Sequence, residues 1–111
     1  MSAKIEGTKI TLTRGDSLLM NVSVYINEET EYIPQPGDVI RFAVKLDVKD
    51  EEPLFIRYAD MSTMQILIEP EDTKYLEMGK MYTYDVELTT ADGYVSTFIG
   101  PAVFYITPEV Y

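Results

Sequence analysis

The sequence predicts an all-β fold, a two-layer antiparallel β-sandwich of seven or eight strands with one short helical turn near residues 71–77. Three observations carry this reading. Over residues 81–106, Tyr82, Tyr84, Val86 and Leu88 alternate with polar neighbours, an Asp92-Gly93 turn follows, and an apolar run returns, which is the pattern of a β-hairpin. Turn residues recur at intervals of about ten along the rest of the chain, with short alternating runs between them. A two-stranded ribbon is also unstable alone, so it needs a sheet beside it and a second layer on its apolar face. Strand number by itself leaves a small closed barrel open.

The elements follow in order. Ile10 and Leu12 alternate with Thr and Lys, Arg14-Gly15-Asp16 turns the chain, and Leu18, Met20, Val22 and Val24 alternate through Tyr25, giving two strands. Residues 27–31 form an acidic turn, and Pro34, Pro36 and Gly37 mark a loop barred from any central strand. From Asp38 the alternation resumes, with Ile40, Phe42, Val44 and Leu46 on a dry face and Arg41 and Lys45 on a wet one. A charged loop over 47–53 leads into two short strands, 54–58 and 64–68, around an Asp60-Met61-Ser62-Thr63 turn. Residues 70–76 break the rhythm. Proline and acids come first, then Lys74, with Gly79 at the close, which reads as one helical turn with its dipole complemented. So short a helix has no packing face of its own and serves to carry the chain from one sheet to the other. The final hairpin and a strand over 102–106, behind Gly100-Pro101, complete the set.

Centring the last turn on Asp92-Gly93 fixes a register. Val86 then faces Ile99, Leu88 faces Thr97 and Thr90 faces Val95 inside, while Glu87 lies opposite Phe98 and Thr89 opposite Ser96 outside. An outward Phe98 offers an apolar contact to a neighbour, unless a bulge near Gly100 or a three-residue loop turns it inward.

Composition bounds the function. The 111 residues suit one domain, 1–111, able to bury roughly two-thirds of its unfolded surface without disulfides or metal. The absence of Cys and His removes thiolate zinc sites, thiol catalysis and the commonest general base. Nineteen acidic against nine basic side chains give a net charge of −10, which disfavours nucleic acid and anionic membrane as partners. No basic residue follows Lys80, so the last hairpin carries one sign of charge, a feature of solubility or of steering toward a basic partner. Residues 1–7 hold no apolar core of signal-peptide length, so the protein is expected to be cytoplasmic, or exported only as part of something larger, and the Asn21-Val22-Ser23 sequon reads as chance.

No residue is assigned to catalysis, to a cofactor or to a metal. The acids at 47–52 and 69–72 read as solvated loops. They lack the spacing of a calcium loop, and the chain has no Trp to stack a sugar against a carboxylate pair. Arg14-Gly15-Asp16 reads as a hairpin turn, and Gly37-Asp38 repeats that role. Nine Tyr and six Met suit interfaces. Tyr82 and Tyr84 belong to the core by their alternation. Tyr25, Tyr32, Tyr94, Tyr105 and Tyr111 fall at strand ends or turns and are, with Phe98, the expected partner contacts.

The run Ile68-Glu69-Pro70-Glu71-Asp72-Thr73-Lys74-Tyr75-Leu76-Glu77-Met78-Gly79, then Tyr82-Thr83-Tyr84-Asp85-Val86-Glu87-Leu88 and Asp92-Gly93-Tyr94-Val95-Ser96-Thr97, resembles small β-sandwich domains of phages and prophages, nearest to the N-terminal domains of tail and baseplate upper proteins. Gly15-Asp16 and Gly37-Asp38-Val39-Ile40-Arg41-Phe42 are similar to the same family. The resemblance covers most of the chain and rests on turns and core positions. It implies an Ig-like sandwich and a non-enzymatic structural role in an assembly, in the bacterial cytoplasm during assembly or in the virion. The implied partners are other virion or prophage proteins, or copies of itself. Baseplate proteins continue into domains that bind receptor adhesins, whereas this sequence ends at Tyr111, so a tail or neck subunit or a prophage protein of similar fold fits equally. The alternative is a carbohydrate- or ligand-binding Ig-like module using exposed Tyr and the acidic loops.

Overall fold

The computed structural model describes residues 3–6, 8–25 and 29–108. Tyr111 and part of the acidic turn at 27–31 lie outside them. Among the described residues, eight strands and one helical turn follow in order: β1 (Ala3–Glu6), β2 (Lys9–Thr13), β3 (Leu18–Asn21), β4 (Val39–Lys45), β5 (Phe55–Tyr58), β6 (Gln65–Ile68), α1 (Pro70–Thr73), β7 (Lys80–Thr89) and β8 (Val95–Thr107). The chain is all-β, as the alternation predicts. One six-stranded sheet has the order β1-β2-β8-β7-β4-β5 and a two-stranded sheet pairs β3 with β6. The expectation of antiparallel pairing throughout fails at one place, because β2 runs parallel to β8, with Ile10 opposite Phe104 and Leu12 opposite Ile106. Alternation decides which face a residue takes, and says nothing about which strand lies beside it.

The two sheets enclose one core. From the larger sheet come Ile10, Leu12, Ile40, Phe42, Val44, Phe104 and Ile106, together with Tyr82, Tyr84, Val86 and Leu88 of β7, all buried; from the smaller come Met20, Ile66 and Ile68. Phe42 is its centre, with its ring 5.1 Å from that of Tyr84 and 6.1 Å from that of Phe104, the latter edge to face, geometries that add to simple area burial. Leu46 lies past the end of β4 and is exposed, so the dry face of that strand ends at Val44.

α1 does carry the chain between sheets, linking β6 to β7. It starts one residue earlier than predicted and ends at Thr73. Pro70 opens it, and the Glu69 N–H donates to Asp72 Oδ2 at 2.8 Å, closing half of a capping box. Thr73 is fully buried and accepts the Gly15 N–H at 2.8 Å, which ties the Arg14-Gly15-Asp16 turn to α1.

The last hairpin closes with a longer loop than a two-residue turn. Thr90 N donates to Tyr94 O and Gly93 N to Thr90 O, leaving Ala91-Asp92-Gly93 as a three-residue loop with Gly93 at φ 93°. Val86 still faces Ile99, but Leu88 faces Ser96, Glu87 faces Thr97 and Thr89 faces Val95. The register slips between Val86 and Glu87, and Phe98 is the extra residue there. It packs against the core instead of facing out. A second irregularity falls between Tyr84 and Val86, opposite Gly100-Pro101, and what were expected to be two strands are one bulged β8.

Candidate functional site

Two features stand out, an end of the molecule where loops gather and a cleft between the sheets. The end is built from the loop before β4 and the tip of the β7–β8 hairpin. Asp38 is only 7 % exposed and accepts the Gln35 N–H at 2.8 Å and the Tyr32 hydroxyl at 2.5 Å. The Gln35 backbone, then Tyr32, and further the Ala91 N–H hold its carboxyl below the ordinary Asp range, and donation to Asp38 in turn raises the Tyr32 phenol. Tyr32 N also donates to Val24 O at 2.7 Å. Gly37, at φ +90°, sits so close to the tip that an added Cβ would meet Ala91 Cβ at 2.7 Å.

The predicted contact residues separate on this frame. Tyr25, 58 % exposed, and Tyr94, 68 % exposed, stand in solvent. The Tyr32 hydroxyl is committed to Asp38, and Phe98 belongs to the edge of the core. Tyr105 lies half-buried beneath Lys9, whose Nζ is 5.9 Å from the ring centroid. Sequence reasoning missed Ile33, Val39 and Val95, all exposed. Val39 and Val95 flank Thr89 in one row of the larger sheet. The three-residue loop is the signal that places Val95 outward.

The cleft between the sheets has a volume of about 160 Å³ and is lined chiefly by Ile10, Met20, Phe42, Tyr84, Val86 and Ile99. No Asp, Glu, Lys or Arg lines it. The Tyr84 hydroxyl donates to the Thr8 carbonyl, and burial pushes its pKa above 10.0. This is a mainly apolar space in which Thr8, Asn21 and Ser23 supply the polar part of the lining and the Tyr84 hydroxyl is already committed, suited to holding an apolar group.

Several carboxylates of the two acidic loops are engaged in turns and ion pairs. Asp47 N donates to Asp50 Oδ2 at 3.1 Å and Lys49 N to Asp47 Oδ1 at 3.0 Å. Asp72 takes a two-pronged grip from Arg57, Nε to Oδ2 and Nη2 to Oδ1 both at 2.7 Å, with Glu69 3.7 Å from the same guanidinium. Among the described residues, no three Asp or Glu gather as a metal site. The single sign of charge expected on the last hairpin is interrupted from β4, since Arg41 lies 3.6 Å from Glu87 and 3.9 Å from Asp85. Among the described residues, no helix is long and apolar enough to cross a membrane.

Comparison with protein families, with curated proteins and with solved structures finds no match to this chain.

Proposed function

We propose that the protein is a non-enzymatic structural and interaction module, an Ig-like sandwich of phage or prophage origin that serves in a virion through protein–protein contacts. The observation that supports this most is the distribution of surface chemistry. Large apolar side chains stand in solvent at the loop end, Tyr25, Ile33 and Tyr94 among them, and a cross-strand pair, Leu19 opposite Leu67, lies exposed on the smaller sheet. Patches of this kind mark contact with other proteins. The space between the sheets has no titratable group except a phenol already bonded to a carbonyl, which gives acid–base chemistry no foothold there. The resemblance to tail and baseplate upper domains supplies the virion part of the reading, and fold alone does not carry it.

The neighbourhood of the gene tests this. Flanking capsid, portal or tail genes are expected, and a metabolic operon would overturn the virion assignment. Binding on a glycan array that depends on added calcium would replace the reading with that of a carbohydrate-binding module.

A further inference from the structure

The two sheets differ in width, and the consequence falls on β3. The outer edge of β6 is joined to the chain leaving β5, since Asp60 N donates to Gln65 O at 2.8 Å. No described strand lies on the other side of β3. The parity of its ladder follows from the Val22 N–H, which donates to Met64 O at 2.9 Å, and from the pairs Met20–Ile66 and Leu18–Ile68. Residues 18, 20 and 22 therefore turn their backbone groups toward β6, and Leu19, Asn21 and Ser23 turn theirs to the open side.

Exposed edges are normally guarded by charge, proline or a bulge. β5 contains Arg57 and is flanked by Asp50, Glu51, Glu52 and Pro53 on one side and Asp60 on the other, while β1 holds Lys4 and Glu6. From Ser17 to Tyr25 there is no charge, no proline and no glycine. The 160 Å³ cleft lies beside this edge. Asn21, Val22 and Ser23 line it with Thr8, Ile10 and Ile99, so an apolar space of the core borders the open side of β3.

We propose that the open edge of β3 accepts an extended segment of another protein, which pairs with Leu19, Asn21 and Ser23 and places one apolar side chain in the cleft. This rests on the reading of the protein as an interaction module and names where it acts and on what. A cleft of this volume holds a group about the size of benzene, hence one Leu, Ile or Phe. A second copy is disfavoured, because two chains that each carry −10 repel one another. Charge selects further. The chain carries −10 while the edge itself carries none, so the segment that docks has alternating apolar residues flanked by Lys or Arg.

A yeast-displayed library of random ten-residue peptides, sorted against the full chain, tests this. The expected selectants alternate apolar residues and carry basic flanks. Their binding weakens about tenfold or more in Asn21→Pro, which deletes one outward N–H that the β3–β6 ladder does not use. Asn21→Ala, which loses only the surface bond from Gln65 Nε2 (3.1 Å), binds like the parent. Bound peptide slows amide exchange at Leu19, Asn21 and Ser23. Selectants that bind Asn21→Pro equally well, or that protect the loop end instead, overturn the β3 assignment and leave the interaction module standing. A library that yields no binder overturns the assignment as well, and the gene neighbourhood then judges the wider reading separately.

Discussion

The loop end is organised around Asp38, which accepts hydrogen bonds from the Tyr32 hydroxyl and the Gln35 N–H. Its carboxylate, and those of Asp60 beside Ser62 and Asp92 beside Thr90, are held below their ordinary value of 3.8 by hydroxyl and backbone N–H donors. A folded-state pKa below the unfolded one means that the native state favours the charged form. The stabilisation is complete above about pH 4 and is lost as pH falls through the lowered values. The melting temperature should therefore hold level from neutral pH to about pH 4 and fall below it. Asp38→Asn should melt lower at neutral pH and show a shallower acid limb, and an unchanged acid limb would contradict the role given to Asp38. Gly100 is a second single-residue constraint. Its φ is +115°, and an added Cβ would lie 2.7 Å from Tyr84 O and 2.8 Å from Asp85 Cβ. Gly100→Ala should cost about 1–3 kcal/mol in urea unfolding, because strained backbone and contact with β7 act together. A loss within error would place the two strands further apart than described.

At the scale of elements, Arg57 and Asp72 join β5 to α1, and so the edge of one sheet to the link from the other. The Asp72 side chain is only 9 % exposed, which makes its two-pronged partner matter more than a surface pair would. Arg57→Ala should lower stability by about 1–3 kcal/mol, with Arg57→Lys recovering only part, since an ammonium restores the charge without the fork. Full recovery by Lys would show that charge alone acts there. What the sequence made legible at this scale was whatever depends on period-two alternation. Tyr82, Tyr84, Val86 and Leu88 are inward as read, and Pro70 with its acids does open a helical turn. The parallel pairing of β2 with β8 was not legible, because the partners are more than ninety positions apart in register, Ile10 against Phe104. Phe98 was half legible. The adjacent apolar pair Phe98-Ile99 is what a bulge looks like in sequence, but only the three-residue loop settles which residue is extra. The commitment of Tyr32 to Asp38 joins residues on either side of Pro34 and Pro36, and nothing in alternation marks it.

For the whole molecule, the decisive asymmetry is a six-stranded sheet faced by two strands. A cleft of about 160 Å³ remains between the sheets beside β3, and the segment from Ser17 to Tyr25 that borders it carries neither charge nor proline. A net charge of −10 keeps copies apart, so sedimentation at low salt should give a monomer across the accessible concentration range, with any association appearing only as salt screens the repulsion. Concentration-dependent association already at low salt would show that a self-complementary surface outweighs that charge. The exposed pair Leu19 and Leu67 and the open backbone beside it were invisible in sequence for one reason. Alternation tells an inward residue from an outward one, but not a paired edge from an unpaired one. Residue-resolved amide exchange in the free protein tests this most directly. Met20 and Val22 should exchange slowly, bonded to β6, while Leu19, Asn21 and Ser23 exchange close to the unprotected rate. Equal protection of all five would mean that the edge is already covered, and the docking of a partner strand there would be ruled out.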